Sequence, residues 1–144
     1  DLLDALVGAK NLSSGIGALR QIFFSTLDFA YHSPGFEGDT TARLRELYAI
    51  TGFPYPENTH FQSGFGHLFG YDAGYYGYLW SRVFGDDMFT RFEAAGVFDR
   101  ATGLDYRRKI LERGGSVDGD VLVHEFLGRE PNSDAFLRDL GLEA

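Results

Sequence analysis

The sequence predicts an all-α protein, and three observations lead to this prediction. Apolar residues recur at intervals of three and four along most of the chain. Proline, glycine and capping residues separate the periodic stretches, and no alternating run is long enough for a sheet strand. The 144 residues are 44% hydrophobic, which suits one compact core, so we predict a single helical unit over residues 1–144.

Three amphipathic helices are predicted before residue 52. Their apolar positions lie in residues 2–7, 19–30 and 44–50. The second helix ends near Pro34, because proline disfavours a helical conformation in the residue before it. Thr40 or Thr41 is expected to cap the third helix, which stops at Gly52.

Residues 52–70 combine glycines, two prolines and many aromatic residues without helical or strand periodicity. A loop of this length in a compact domain is usually functional or disordered, and the aromatic content argues against disorder. A central, aromatic-rich helix is predicted over residues 71–95.

Three further helical segments are predicted in the last part of the chain. Asp99 is expected to cap a helix that runs through Leu111. A short helix starts at Ser116 or Asp118, and the last one starts at Ser133 or Asp134.

Composition excludes several function classes. Thirteen Lys and Arg residues stand against 21 Asp and Glu, a formal net charge of -8, so nucleic acid is not an expected partner. The absence of cysteine excludes disulfides and thiolate metal sites. The apolar stretches are too short to span a membrane, so we expect a soluble protein without a membrane partner.

The histidines do not form a metal-binding pattern. His124-Glu125 resembles the start of HExxH, but glycine stands where the second histidine is required, so a surface His–Glu pair is expected. His32, His60 and His67 are too scattered for a local ligand set. No metal ligand is therefore predicted in this chain.

Tyrosines at helical spacing form the most informative pattern. Tyr71, Tyr75 and Tyr78 fall at i, i+4 and i+7, and Arg82 would continue their face at i+11. The donors of such a face suit binding of an amide backbone or stabilisation of an oxyanion. The alternative is ordinary packing of half-buried tyrosines with their hydroxyls at the surface.

The stretch Phe65–Trp80 resembles a signature of the thimet oligopeptidase and mitochondrial intermediate peptidase family (peptidase family M3), zinc metallopeptidases. The glycine loop before Tyr71 looks one residue shorter than in thimet oligopeptidase and is more similar to the mitochondrial intermediate peptidase branch. Further similarity covers residues 17–22, 105–107, 110–111, 114–116, 126–131 and 134–137.

The resemblance implies the helical C-terminal part of the catalytic domain of a zincin-type oligopeptidase. It implies that HExxH and a later glutamate hold zinc upstream of this chain, which alone binds none. By the same resemblance, the matching positions contact short peptide substrates. Tyr78 and His67 are then catalytic, and the substrate-binding residues are Tyr71, Tyr75, Gly66 and Gly70.

Two alternatives to a segment of a peptidase remain open. The chain could be a non-catalytic helical peptide- or protein-binding module, or one chain of a split enzyme. In the peptidase interpretation its partners are short peptides and the remainder of the catalytic domain that carries HExxH. Because the sequence starts at Asp1 without a leader pattern, we expect it to begin inside a longer protein, located in the cytoplasm or mitochondrion.

Overall fold

The computed structural model describes residues 1–142, and every regular element in this range is helical, which confirms the all-α prediction. Short 3₁₀ turns and one π-helical turn supplement the α-helices. The α-helices are α1 (Leu2–Ala9), α2 (Ser14–His32), α3 (Thr40–Leu47), α4 (Gly77–Ala95), α5 (Arg100–Tyr106), α6 (Gly119–Leu127) and α7 (Asp134–Asp139). None of the described helices is both long and apolar enough to cross a membrane.

The chain divides into two compact units, of which Asp1–Leu79 is the first. Its core is built from Phe23, Phe24 and Leu27 of α2 together with Leu44 of α3. Aromatic rings from the following segment pack on this core, and the ring of Phe61 stacks on Phe24 with a centroid distance of 5.1 Å. Burial of large rings is the main stabilising contribution here.

Carboxylates cap the first and third helices. Asp1 accepts a hydrogen bond from the backbone N–H of Asp4 in a capping box. Asp39, and not Thr40 or Thr41, caps α3, because its carboxylate accepts from the N–H groups of Thr41 and Ala42. An ionised carboxylate also interacts favourably with the helix dipole there.

The predicted loop 52–70 has no α-helix, but short 3₁₀ turns order it. One turn, Tyr48–Thr51, follows α3 and ends at Gly52, and the others are Phe61–Gly64 and Gly66–Phe69. Phe65 lies between the last two turns and packs against Phe24, with ring centroids 5.2 Å apart. Aromatic packing therefore fixes this segment against α2.

The central helix ends at Ala95 as predicted, but it begins at Gly77 and not at Tyr71. Residues 71–76 form turns, and Ala73 has a left-handed φ of 54°. The N–H groups of Ala73 and Tyr75 bond to the carboxylate of Asp28 rather than to carbonyls one helical turn earlier. This distant side chain prevents the helix from starting earlier.

The second unit comprises Trp80–Ala144. Its core centres on Phe126 of α6, whose ring lies 6.2 Å from Phe92 and 5.5 Å from Tyr106. The guanidinium of Arg91 lies 4.3 Å from the Phe126 ring centroid and also binds Asp105 at 2.6 Å. As predicted, Asp99 caps α5, and the helical path then continues to Leu111 through a π-helical turn.

A buried ion pair fixes the segment after α6. Asp87 of α4 is 1% exposed, and its carboxylate binds the guanidinium of Arg129 and the N–H of Asn132. Burial alone would raise the pKa of Asp87, but the Arg129 hydrogen bonds, the Asn132 N–H and the Arg129 charge outweigh it and lower this pKa.

Replacing Asp87 by Asn should lower the free energy of unfolding at neutral pH by about 1.5–3 kcal/mol, since a charge-assisted interaction is lost. The depressed pKa contributes stability above pH 3.8, and this contribution is lost as the pH falls through the folded-state pKa. We therefore expect the free energies of unfolding of the parent and the Asp87→Asn variant to become equal at low pH. Urea unfolding measured between neutral and acidic pH checks this. Asp118→Asn, at an exposed position, is the control, and a constant difference at all pH values would contradict this prediction.

The hydroxyl of Tyr31 donates to the carbonyl of Thr40 at 2.6 Å. Burial, with Tyr55 and Asp39 acting in the same direction, raises the pKa of Tyr31 from 10.0 to about 12.

Because its pKa is raised on folding, the Tyr31 hydroxyl stabilises the folded state fully below pH 10, and this stabilisation is lost as the pH rises towards 12. Tyr31→Phe should lower the free energy of unfolding by about 0.5–1.5 kcal/mol at neutral pH and flatten the alkaline decline measured by urea unfolding. The exposed Tyr76→Phe is the matched control. If the free energy of unfolding fell equally steeply with alkaline pH in Tyr31→Phe and in the parent, Tyr31 would not be the group responsible for the decline.

Candidate functional site

The imidazole of His67 lies at the centre of three tyrosine rings. Its centroid is 5.4 Å from the ring of Tyr71, 4.8 Å from that of Tyr75 and 5.7 Å from that of Tyr78. The rings of Tyr75 and Tyr78 are 4.9 Å apart. We call these four residues the His67 cluster, and the whole cluster belongs to the first unit.

The members of the His67 cluster differ in exposure. Tyr71 is 73% exposed and Tyr78 is 57% exposed, whereas the side chain of His67 is 11% exposed. Tyr75 is half-buried and packs edge-on against Phe24, with centroids 5.3 Å apart. Tyr75 thus joins the cluster to the apolar core, while two phenol-bearing side chains are accessible to a ligand.

The cluster does not arise from one helical face. Tyr71 and Tyr75 precede α4, so the prediction that they lie on its face with Tyr78 is wrong. Arg82 binds Asp139 at 2.6 Å and lies over the ring of Phe136. The structure brings the three tyrosines together by folding the turns of residues 71–76 back onto His67.

Burial raises the pKa of the Tyr75 hydroxyl above its usual value of 10.0. The neighbouring Tyr78 acts in the same direction, whereas Arg20 and a hydrogen bond from Gln21 oppose it. Tyr75 is therefore a neutral phenol throughout the neutral pH range and cannot serve as a base there.

Asp28 is fully buried at 0% exposure and lies beneath the cluster. Its carboxylate accepts from the backbone N–H of Ala73 at 3.0 Å and from that of Tyr75 at 2.9 Å. The Nδ1 atom of His32 lies 3.0 Å from the same carboxylate and 2.9 Å from the Asp28 carbonyl. Because both of these oxygens are acceptors, Nδ1 of His32 carries a proton.

His67 faces Asp28 without bonding to it. Its Nδ1 atom is buried, has no hydrogen-bond partner, and lies 4.0 Å from Asp28 Oδ2. A buried ring nitrogen without a partner is costly, and a small approach to the carboxylate would satisfy it. The imidazole can donate or accept, so it can also interact with a polar ligand group.

The glycines of this region have different roles. A Cβ at Gly74 would lie 2.9 Å from the carbonyl oxygen of Tyr71, so the tight turn requires glycine there. A Cβ at Gly77 would have no neighbour within 4 Å, so close packing does not require glycine there. Gly66 and Gly70 likewise border open space, and they leave room beside the backbone of the His67 turn.

Residues 1–142 contain no group of three or more His, Cys, Asp or Glu side chains that could hold a metal ion. His124 and Glu125 are exposed on α6, where His124 lies 3.5 Å from Glu130 and Glu125 binds Arg113. The side chains present in this range therefore do not fit a zinc site.

Asp28 was not identified from the sequence, although its position gave a signal. Asp28 lies four residues after the buried Phe24 and four residues before His32. In a helix this spacing places the Asp28 carboxylate next to the His32 imidazole, on the face that carries Phe24. A carboxylate next to an apolar helical face needs hydrogen-bond donors. The sequence does not reveal that these donors come from residues 73 and 75.

Comparison with known proteins gives matches along nearly the whole chain. Oligopeptidase A of Escherichia coli (strain K12) is 40% identical, and the alignment covers 99% of this chain and 22% of that protein. Saccharolysin of Saccharomyces cerevisiae is 36% identical, covering 99% and 21% respectively. Mitochondrial intermediate peptidase of Homo sapiens is 33% identical, covering 97% and 20%.

The chain thus spans about a fifth of the length of these curated relatives. The model of "Peptidase family M3" matches residues 1–142. Together, the family match and the helical architecture agree with the resemblance seen in residues 65–80. The chain belongs to peptidase family M3.

Proposed function

We propose that this chain forms the C-terminal, peptide-facing part of a zinc-dependent oligopeptidase that hydrolyses short peptides. The His67 cluster is the observation that carries the proposal, because it groups an imidazole and three phenols within one compact unit. Membership of peptidase family M3 supplies the reaction class.

Tyr78 and His67 are the proposed catalytic residues. A phenol hydroxyl is a neutral donor at physiological pH, and an imidazole can donate from either ring nitrogen. Donors of this kind stabilise the negative charge that develops on a scissile carbonyl oxygen during amide hydrolysis. Tyr78 is exposed at the start of α4, so its hydroxyl is the one we assign to this oxygen.

Substrate binding is assigned to the neighbouring residues. Tyr71 is the most exposed member of the cluster, and Tyr75 supports it from the core side. The open space beside Gly66 and Gly70 gives an extended peptide room to approach the loop backbone. Extended peptides bind largely through their main-chain groups, which suits such a surface.

The metal ligands must then lie in the remainder of the catalytic domain. The side chains of residues 1–142 do not fit zinc, so we propose that a segment with HExxH outside this chain holds the metal. Members of this family are zinc metallopeptidases in general. By itself the chain should not hydrolyse peptides.

The exposed apolar surface of α1 supports the proposal that this chain packs against the remainder of the catalytic domain. Helix α1 has no buried residue, although Leu2, Leu3 and Leu6 lie along it. Contiguous apolar surface of this kind usually marks an interface. Since the relatives are about five times longer than the chain, the remainder of the catalytic domain is the proposed occupant, with residues 1–144 forming one segment of that domain. A location in the cytoplasm or mitochondrion remains a prediction.

A non-catalytic peptide-binding module is the second candidate. It is favoured by the fact that residues 28–78 assemble the whole His67 cluster within the first unit, so that the cluster does not depend on another part of the chain. A split enzyme, in which a companion chain supplies the zinc, would use the same cluster in the same way.

Tyr78→Phe in the assembled peptidase should lower kcat on the order of 10²- to 10³-fold, because one oxyanion donor is lost. Zinc content should be unchanged, since Tyr78 does not contribute a metal ligand. Steady-state kinetics with a short peptide, together with metal analysis, measures both quantities. The matched control is Tyr76→Phe, which removes the hydroxyl of another exposed tyrosine outside the cluster. If turnover stayed at the parental level, the role of Tyr78 would be wrong.

Native mass spectrometry should show the 16.1 kDa chain in complex with a larger, zinc-bearing polypeptide when both are present. The isolated chain should carry no zinc, and addition of a chelator should remove the metal from the partner without releasing this chain. Detection of the chain alone in the presence of the metal-bearing part would favour the binding-module alternative.

A further inference from the structure

We propose that Asp28 is a positioning residue: its buried carboxylate holds the turn at residues 73–75 and thereby sets the geometry of Tyr75, Tyr78 and His67. This inference rests on the proposed function, because it assigns Asp28 a role in oxyanion stabilisation through Tyr78. Asp28 is fully buried and so does not touch substrate.

The contact joins segments that are far apart in sequence. Ala73 and Tyr75 lie 45 and 47 residues after Asp28, and each donates its backbone N–H to a different oxygen of the same carboxylate. Hydrogen bonds to an ionised acceptor are about twice as strong as neutral ones. A single side chain of α2 therefore fixes the turn at two positions, one on each side of Gly74.

The turn needs such a constraint. Ala73 has φ of 54°, a left-handed conformation that is unfavourable for a residue with a Cβ. The turn also brings position 74 so close to the Tyr71 carbonyl that only glycine fits. Strained backbone persists where surrounding contacts over-determine it, and the two bonds to Asp28 are such contacts.

The position of the turn is transmitted directly to the cluster. The Tyr75 ring contacts the rings of His67 and Tyr78, so fixing its N–H restricts all three. The N–H of Tyr78 bonds to the carbonyl of Tyr75 at 3.2 Å at the start of α4. A shift at Tyr75 would therefore move the first turn of the helix that carries Tyr78.

The carboxylate itself is held on the core helix. Leu27 and Phe24, its neighbours on α2, are buried, and Nδ1 of His32 lies 3.0 Å from the carboxylate. The Nδ1 of His67, which lacks a hydrogen-bond partner, faces the other oxygen at 4.0 Å. Asp28 thus binds the backbone N–H groups of Ala73 and Tyr75 and faces the imidazole of His67.

Amide hydrogen exchange in the 144-residue chain tests the contact directly. In the parent chain, the amides of Ala73 and Tyr75 should exchange about 10- to 100-fold more slowly than that of Asp72, an exposed neighbour in the same turn. This measurement does not depend on whether any variant folds. Exchange of Ala73 and Tyr75 as fast as that of Asp72 would overturn the proposal.

Asp28→Asn keeps the size of the side chain but leaves one acceptor oxygen and places an NH₂ group against a backbone N–H. Exchange at Ala73 or Tyr75 should accelerate by about 10- to 100-fold. Asp87→Asn is the matched control, because Asp87 is also a buried carboxylate that accepts a backbone N–H. It should leave these two amides unchanged, whereas equal effects of both variants would show general loosening only and overturn the proposal.

A double-mutant cycle in the assembled peptidase tests the link to catalysis. Asp28→Asn should lower kcat about 10-fold or more with little change in KM, because Tyr78 loses its geometry for the transition state. In a Tyr78→Phe background the same change should lower kcat less than about twofold. Equal losses in both backgrounds would mean that Asp28 acts independently of Tyr78, which overturns the positioning role.

The two levels of hypothesis are separable. If Tyr78→Phe alone had no effect on turnover, the proposed role of Tyr78 would fail, and with it the catalytic part of this inference. The exchange data would still decide whether Asp28 holds the turn.

Discussion

A carboxylate removed from water must find hydrogen-bond donors inside the protein, and in the first unit this requirement falls on Asp28. No lysine or arginine pairs with its side chain among the described ion pairs. The donors are two backbone N–H groups, and the imidazole of His32 lies 3.0 Å from the carboxylate. The backbone of residues 73–75 must therefore lie against α2. The start of α4, the left-handed Ala73 and the grouping of the aromatic rings all follow from that placement.

The second unit meets the same requirement differently. Asp87 is buried on α4 and binds the N–H of Asn132, but it also has the guanidinium of Arg129 as a charged partner. In each unit a carboxylate on a long helix fixes a segment without regular structure. The ion pair at Asp87 lowers the pKa of the carboxyl and suits a static structural role, whereas backbone donors at Asp28 leave its side-chain neighbours available for other contacts.

Local rules were sufficient where local forces decide the structure. Helical periodicity predicted α2, and a capping aspartate predicted the start of α5 at Asp99. They failed at Tyr71, because the turn there depends on a side chain more than 40 residues earlier in the chain. A left-handed alanine carries no sequence signal, since that conformation is expected of glycine or asparagine.

The residues of the candidate site were predictable, but their arrangement was not. Tyr71, Tyr75 and Tyr78 were selected from a helical spacing that the structure lacks, and His67 was selected from a family resemblance. The structure nevertheless groups all four side chains. A spacing of three and four residues brings side chains together in turns as well as in helices. The sequence therefore predicted which side chains form the His67 cluster. It did not predict their arrangement, because that arrangement depends on the contacts of Asp28.

Asp28 holds the turn through backbone N–H groups, so different groups position the site and contact a ligand. The carboxylate binds the N–H groups of Ala73 and Tyr75, so the side chains of the turn are not consumed in holding it. Tyr71 and Tyr78 can then remain exposed, while Tyr75 packs on the core. A site that presents hydroxyl groups at fixed positions needs backbone groups to hold it in place, because a hydroxyl that is bonded within the protein is not available to bind a ligand.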